Sequence, residues 1–427
     1  MAGSKPLDTE PYKGVRDFYP EDWARLSALF DRTREVLRLR GYEEYNASPL
    51  ERAELYESKG NEEIVNEQTY TFTDRGERRV TLRPEMTPSL ARMVAHKRRD
   101  LVFPLRWFSI GNRFRYERPQ RGRLREFYQT DIDLLGLPEG EADLEIVALA
   151  HGLMRALGAS ESDFTIKVNS RKLLRLACEA AGLPEGEAAR AYWQLVDRKA
   201  KMPAEEFETA RKAFGADPLA VIESGRDAAV AEEKQRVEIF VEELRKRGVT
   251  NAVFDTDVVR GFDYYTGTVF EIFDTDPANA RALFGGGRYD GLVSLFGGDP
   301  IPAVGFAFGD VTLLDFLDTH GYTLPAQTKA EVYIGTPSSE DRALARAFAE
   351  ELRAAGIRVW ENLTDKALGD QVKEAVRRGI PCFIAYGKNE AESGEARLKA
   401  LATSDEASIP AGDAAEAVRT IARKVHA

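Results

Sequence analysis

The stretch from residue 102 to residue 136 alternates apolar and charged positions along two arms, with a polar turn at Pro119–Gly122 between them. Alternation puts successive side chains on opposite faces of a strand, so each arm has one face for a core and one for polar work. Two such arms around a Pro/Gly turn predict a long antiparallel hairpin. Its charge is as telling as its pattern. Between Arg92 and Glu126 eleven Lys and Arg face three acids, in a chain whose net charge is −11. An acidic protein with one strongly basic segment can bind a polyanion there; the alternative is that single arginines pair with carboxylates elsewhere.

Alternation predicts that Arg115 and Glu117 share one face and that the turn presents Gln120, Arg121 and Arg123. The return arm then aligns Arg125, Phe127 and Gln129, with Asp133 four residues beyond Gln129 on the same face. A planar guanidinium grips a phosphate through paired hydrogen bonds, and an aromatic face stacks on a base. Guanidiniums, a carboxylate and a ring on one hairpin suit a nucleotide, with a solvated charged hairpin as the plain alternative. Asp133 alone could equally be a salt-bridged strand acid.

A second run, Val259–Glu271, holds Arg260, Asp263, Tyr264, Tyr265, Gly261 and Gly267 before reading as a strand at Val269 and Phe270. It fits either a surface hairpin or the wall of a small polar pocket. Thr81–Thr87 places Glu85 and Thr87 in the expected first turn of a helix running from Arg83 or Pro84 to His96, where an acid is favoured by the helix dipole alone. Phe284–Gly291 contains three consecutive glycines before Arg288, Tyr289 and Asp290, which permits close backbone approach to a ligand or a tight turn.

The length, 427 residues, leads to an expectation of two or three domains. Pro20–Arg40 predicts a helix with Leu26, Leu29, Phe30, Thr33 and Leu37 on one face, followed by a short strand near Tyr45. Helical periodicity dominates from about 170 to 248, and strands resume at Ala252–Val258 and Thr266–Phe273. Past Leu324 strands and helices alternate: strands at Val332–Gly335, Arg358–Glu361 and Cys382–Tyr386, helices at Ser339–Ala355, Leu368–Arg378 and Ala414–His426. That grammar predicts a small α/β domain with a mainly parallel sheet. No run is long and apolar enough for a transmembrane helix, and Met1–Lys13 lacks a signal-peptide core. Cys178 and Cys382 stand in apolar runs and are expected to be reduced core residues of a cytoplasmic protein, and the four scattered histidines suggest no metal site.

The Phe114–Gln129 segment resembles motif 2 of class II aminoacyl-tRNA synthetases, and the Val259–Glu271 and Phe284–Gly291 runs resemble the two signatures of the histidyl-tRNA synthetases. The resemblance covers nearly the whole chain. It implies an α+β catalytic domain over 1–325 with a mostly antiparallel sheet of six or seven strands, a helical insertion at about 170–248, and an anticodon-binding domain over 329–427. It also implies histidine, ATP with magnesium, and histidine tRNA as partners, a homodimer built on Gly14–Pro49, and no membrane. By the same resemblance Arg115 holds the α-phosphate, Glu117 the adenine side, and Phe127 stacks on adenine. Glu85 and Thr87 would grip the α-amino group, and Gln129, Asp133, Tyr264, Tyr265 and Tyr289 would line the histidine pocket. Arg260 would bridge the substrate carboxylate and the α-phosphate, and Gln120 and Arg125 would face the tRNA acceptor end.

The chain departs from the pattern in one place. In the class, a third motif carries an arginine three residues past a glycine, which stacks over adenine and meets the γ-phosphate; here Gly309 is followed by Asp310, Val311 and Thr312. Arg123 is a candidate to supply the missing cation. The departure also keeps open a second reading, a non-catalytic regulatory subunit of ATP phosphoribosyltransferase, although such paralogues lack the anticodon-binding domain. A tRNA-binding module without chemistry is a third.

Overall fold

The computed structural model describes residues 7–57, 68–183, 186–199, 202–259, 264–279, 281–324 and 330–426. The chain divides into two compact units, Met1–Leu324 and Pro325–Ala427. Strands of the first are β1 (Glu43–Glu44), β2 (Leu50–Arg52), β3 (Tyr70–Thr73), β4 (Arg79–Leu82), β5 (Leu105–Phe114), β6 (Glu126–Leu135), β7 (Phe164–Ser170), β8 (Ala252–Phe254), β9 (Thr268–Asp274), β10 (Ala282–Arg288) and β11 (Ala303–Gly309).

The hairpin is present: β5 and β6 pair antiparallel from Leu105↔Leu135 to Phe114↔Glu126. It seeds an eight-stranded sheet in the order β1-β5-β6-β11-β10-β9-β7-β8. The inner pairings are antiparallel, and β1 and β8 add in parallel at the two edges. The expected six or seven strands thus become eight; the two edge strands fall where the sequence predicts strands, near Tyr45 and within Ala252–Val258, but span only two and three residues. β2, β4 and β3 form a separate small sheet.

The two faces of the main sheet differ in chemistry. Phe108, Ile132, Val304, Phe306, Phe284, Phe270 and Ile166 lie on one face. They pack against the helices Pro20–Arg38, Glu141–Ala156 and Asp310–Thr319 and the second half of Ala228–Lys246. The Pro20 helix buries the expected Leu26, Leu29, Phe30, Thr33 and Leu37, and the Thr33 hydroxyl is satisfied by the Leu29 carbonyl at 2.9 Å. The opposite face carries Gln129, Asp131 and Asp133 of β6 over Gly309, Ala307 and Gly305 of β11. Polar groups on a buried strand face cost stability unless they are paired or serve a ligand.

Between β7 and β8 the described residues form five helices, Arg171–Ala180, Glu187–Asp197, Ala204–Lys212, Pro218–Ser224 and Ala228–Lys246. Ser170, Asp217 and Asp227 cap three of them by accepting backbone N–H bonds. These helices have a core of their own around Leu173, Tyr192, Trp193, Phe207 and Ile222.

The second unit has strands β12 (Val332–Gly335), β13 (Val359–Glu361), β14 (Cys382–Ala385), β15 (Glu395–Ala400) and β16 (Glu406–Pro410) in the order β13-β12-β14-β15-β16. β13, β12 and β14 are parallel, as alternation of strands and helices implies. The last two strands pair antiparallel; β15 alternates charged and apolar residues but sets Leu398 between two alanines, weak strand formers, and β16 has Ile409 as its one large apolar residue, so neither stands out in the sequence. Both cysteines are free and buried.

Candidate active site

The polar face of the sheet owes its depth to missing side chains. Gly305 lies opposite Asp133, and a Cβ there would sit 2.2 Å from Asp133 Oδ1. Its other neighbour, Gly287, lies where a Cβ would come within 2.9 Å of the Tyr265 ring. Glycine is required at both positions for close approach, not for backbone freedom. The acid and the tyrosine therefore lie low over a backbone floor.

Two tyrosine–carboxyl pairs stand side by side on that floor. The Tyr264 hydroxyl donates to Glu85 Oε2 at 3.0 Å, and the Tyr289 hydroxyl donates to Asp133 Oδ1. The two rings meet edge to face with centroids 5.9 Å apart, and Tyr265 lies 5.0 Å from Tyr264. Burial pushes the Glu85 carboxyl up to about 7, with the nearby Arg115 guanidinium pulling the other way. Burial likewise pushes Asp133 up to about 8, against the Tyr289 hydrogen bond, and the neighbouring Asp131 adds to the rise. Asp133 Oδ2 is buried without a hydrogen-bond partner among the described residues. A buried orphan oxygen of this kind calls for a partner from a ligand or water, one that accepts its O–H while the carboxyl is protonated or donates an N–H once it is ionised.

Glu85 is not in the first turn of a helix. The helix spans Thr87–Lys97 with Met86 as its cap, so Thr87 is its first residue and Glu85 precedes it. Pro88 suits the very start of a helix, which sets that boundary. Glu85 is then held from both sides, since its own carbonyl accepts from the Tyr56 hydroxyl at 3.2 Å.

Gln129 is positioned by an ion pair that the sequence did not single out. Its Nε2 donates to Asp131 Oδ1 at 2.7 Å, while Arg113 holds Asp131 Oδ2 at 2.5 Å, with both side chains almost fully buried. A signal for it exists: Gln129, Asp131 and Asp133 are three polar residues at period two on a strand whose other residues, Glu126 and Thr130 apart, are apolar or aromatic.

The nucleotide-type residues gather at the open end of the hairpin. Arg115 stacks its guanidinium 5.2 Å above the Phe127 ring and donates from Nε to the Pro84 carbonyl at 3.0 Å. Burial draws the guanidinium below its usual value. Arg115 and Glu117 lie beyond the end of β5, in a loop, so strand alternation is not what relates them. The Glu117 backbone N–H turns back to the Arg115 carbonyl at 2.7 Å. Arg123 pairs with Glu117 at 3.0 Å, and Gln120 and Arg123 bridge the loop tip. Arg125 turns away: it lies 4.1 Å over Tyr116 and bonds the Tyr12 hydroxyl and the Lys13 and Glu117 carbonyls. Arg260 lies outside the described residues.

Similarity to known proteins agrees with this geometry. The histidyl-tRNA synthetase family profile matches residues 14–313, and an anticodon-binding domain profile matches 331–421. The chain belongs to the histidyl-tRNA synthetase family. A histidine–tRNA ligase of Leptospira biflexa is 37% identical, covering 97% of this chain and 98% of its own length. The chloroplastic/mitochondrial histidine–tRNA ligase of Arabidopsis thaliana is 36% identical over 96% of this chain and 86% of its own. The histidyl-tRNA synthetase structure from Nostoc sp. superimposes with a TM-score of 0.80 at 24% identity, covering 97% of this chain and 100% of that one. A Bacillus halodurans structure titled as an ATP phosphoribosyltransferase regulatory subunit/histidyl-tRNA synthetase reaches 0.69 at 26% identity, covering 84% of this chain and 94% of that one. The match at 331–421 favours the synthetase over the regulatory reading.

Proposed function

We propose that the glycine-floored face activates histidine with ATP to histidyl-adenylate and that the same chain transfers it to histidine tRNA. The observation that carries this is the pair of tyrosine-bound carboxyls, Glu85 and Asp133, set side by side over one floor. An amino acid with a basic side chain offers an ammonium to one acid and a ring N–H to the other. Glu85 with Thr87 would take the α-ammonium, and the unpartnered Asp133 Oδ2 would take the imidazole beside Tyr289, Gln129, Tyr264 and Tyr265. A competing side chain without that N–H leaves Asp133 unsatisfied, which is the stronger form of discrimination.

ATP would lie along the hairpin, with adenine on Phe127 near Glu117 and the α-phosphate on Arg115. Arg123 holds Glu117 in place, and magnesium would arrive on the ATP phosphates through oxygen ligation. Arg260 would steady the charge that forms between carboxylate and α-phosphate. Gln120 and Arg125 would meet the tRNA acceptor end, the second unit the anticodon. The working form would be a cytoplasmic homodimer; among the described residues no helix is long and apolar enough to cross a membrane.

The test is ATP–pyrophosphate exchange dependent on each amino acid in turn. Exchange with histidine alone is expected. Histidine binding with no exchange would favour the regulatory reading, and exchange with another amino acid would refute the assignment of Asp133.

A further inference from the structure

The loop at the hairpin tip packs on the residue that departs from the family pattern. A Cβ at Gly122 would lie 3.6 Å from Thr312 Cγ2. The Thr312 hydroxyl donates to the carbonyls of Leu283 and Gly309 at 2.9 and 3.3 Å. The Phe127 ring lies beside Gly309, 3.8 Å from where a Cβ would stand. Phe127, which carries Arg115 over its ring, thus neighbours Gly309, and Thr312 neighbours the loop tip.

Three arginines ring this corner, and their commitments differ. Arg123 is paired with Glu117 at 3.0 Å, whose side chain is only 10% exposed, so pulling Arg123 away would strand a carboxylate. Arg121 is shared between Asp315 at 3.6 Å and Asn279 at 3.2 Å. Arg281, just ahead of β10 and two residues from Leu283, donates only to the neutral Gln120 Oε1 at 3.3 Å and has no carboxylate partner among the described residues. A cation beside neutral groups has its charge available for an anion.

We infer that Arg281 holds the terminal phosphates of ATP and the departing pyrophosphate, the work an arginine at position 312 would otherwise do. The inference rests on the adenylate-forming reading of the site. In that reaction a histidine carboxylate oxygen bonds to the α-phosphorus. The bond from that phosphorus to the oxygen bridging to the β-phosphate breaks, and its electron pair leaves with pyrophosphate. Charge therefore gathers at the end of the nucleotide farthest from Arg115. A guanidinium placed there grips the triphosphate of the bound substrate and steadies the charge that leaves with pyrophosphate. Its grip on Gln120 also ties the hairpin tip to β10, so phosphate binding and loop position are linked through one side chain.

The experiment compares the unmodified protein with Arg281→Ala, Arg281→Lys and the double variant Arg281→Ala/Thr312→Arg. ATP and AMP binding are measured by calorimetry, and the KM values for ATP and histidine by pyrophosphate exchange. Arg281 is exposed, so its loss leaves the fold in place. Arg281→Ala is expected to raise the KM for ATP about tenfold to a hundredfold, the range of a charge-assisted contact. AMP affinity and the histidine KM should stay unchanged. Arg281→Lys should recover part of the loss, and the double variant most of it. An unchanged KM for ATP, or equal losses for ATP and AMP, would overturn the assignment. An unmodified protein that takes up no ATP would instead overturn the reading beneath it, and the two failures are told apart by that first measurement.

Discussion

Replacing Asp133 with asparagine removes one proton-binding group from the centre of the site and keeps an acceptor for the Tyr289 hydroxyl. Asp133 is 4% exposed, and its carboxyl titrates at about 8 because burial and Asp131 outweigh the single tyrosine bond. An unfolded aspartate titrates at about 3.9. Between those values the native chain holds a proton that the unfolded chain has released, so stability falls as pH rises through the interval. Each pKa unit is worth about 1.4 kcal/mol, and roughly four units amount to on the order of 5 kcal/mol. The neutral amide introduced by Asp133→Asn has no such linkage. The stability of this variant relative to the unmodified protein should therefore improve by about 1.4 kcal/mol per pH unit between about pH 5 and pH 7. Urea unfolding of both proteins, followed by circular dichroism at unit pH steps, measures the difference while contributions from the other acids cancel. Histidine affinity should be lost in the variant at every pH. Parallel stability profiles would show that Asp133 is ionised in the folded chain and that the orphan oxygen is satisfied by some other means.

Two further substitutions probe the supports of the site. Gly305→Ala puts a methyl group 2.2 Å from Asp133 Oδ1 and 2.6 Å from the Ile132 carbonyl oxygen, so it should abolish histidine binding and also lower the urea unfolding midpoint as the β6–β11 ladder is forced apart. Arg113→Met leaves Asp131 as a buried charge without its guanidinium and should cost about 3–5 kcal/mol in urea unfolding, with Gln129 losing its anchor as well.

Much of this architecture is legible from periodicity. The hairpin, the buried face of the Pro20 helix and the alternation of the C-terminal unit follow from spacing because each is a local pattern repeated several times. The misreadings fall where local pattern stops deciding. Arg115 and Glu117 look like alternating strand positions, but the β5–β6 ladder ends at Phe114 and Glu126, and beyond it the loop sets their geometry. Glu85 looks like a helix-start acid, but the helix begins later, at Thr87 just before Pro88, and Tyr264, 179 residues away, decides its environment. Asp131 stands out less than its neighbours at period two, because its partner Arg113 is on the opposing arm. The corner of Thr312, Gly122 and Arg281 joins three segments far apart in sequence, and no spacing rule connects them.

The floor of glycines at 287 and 305 has a consequence for precision. A pocket bounded below by side chains changes size whenever a rotamer hops, and each hop blurs the difference between two similar ligands. Here the lower boundary is main chain locked in an antiparallel ladder, which has no rotamers to sample. The ruler against which a substrate is measured is then as stiff as the sheet itself, and it costs no side-chain entropy to hold it still.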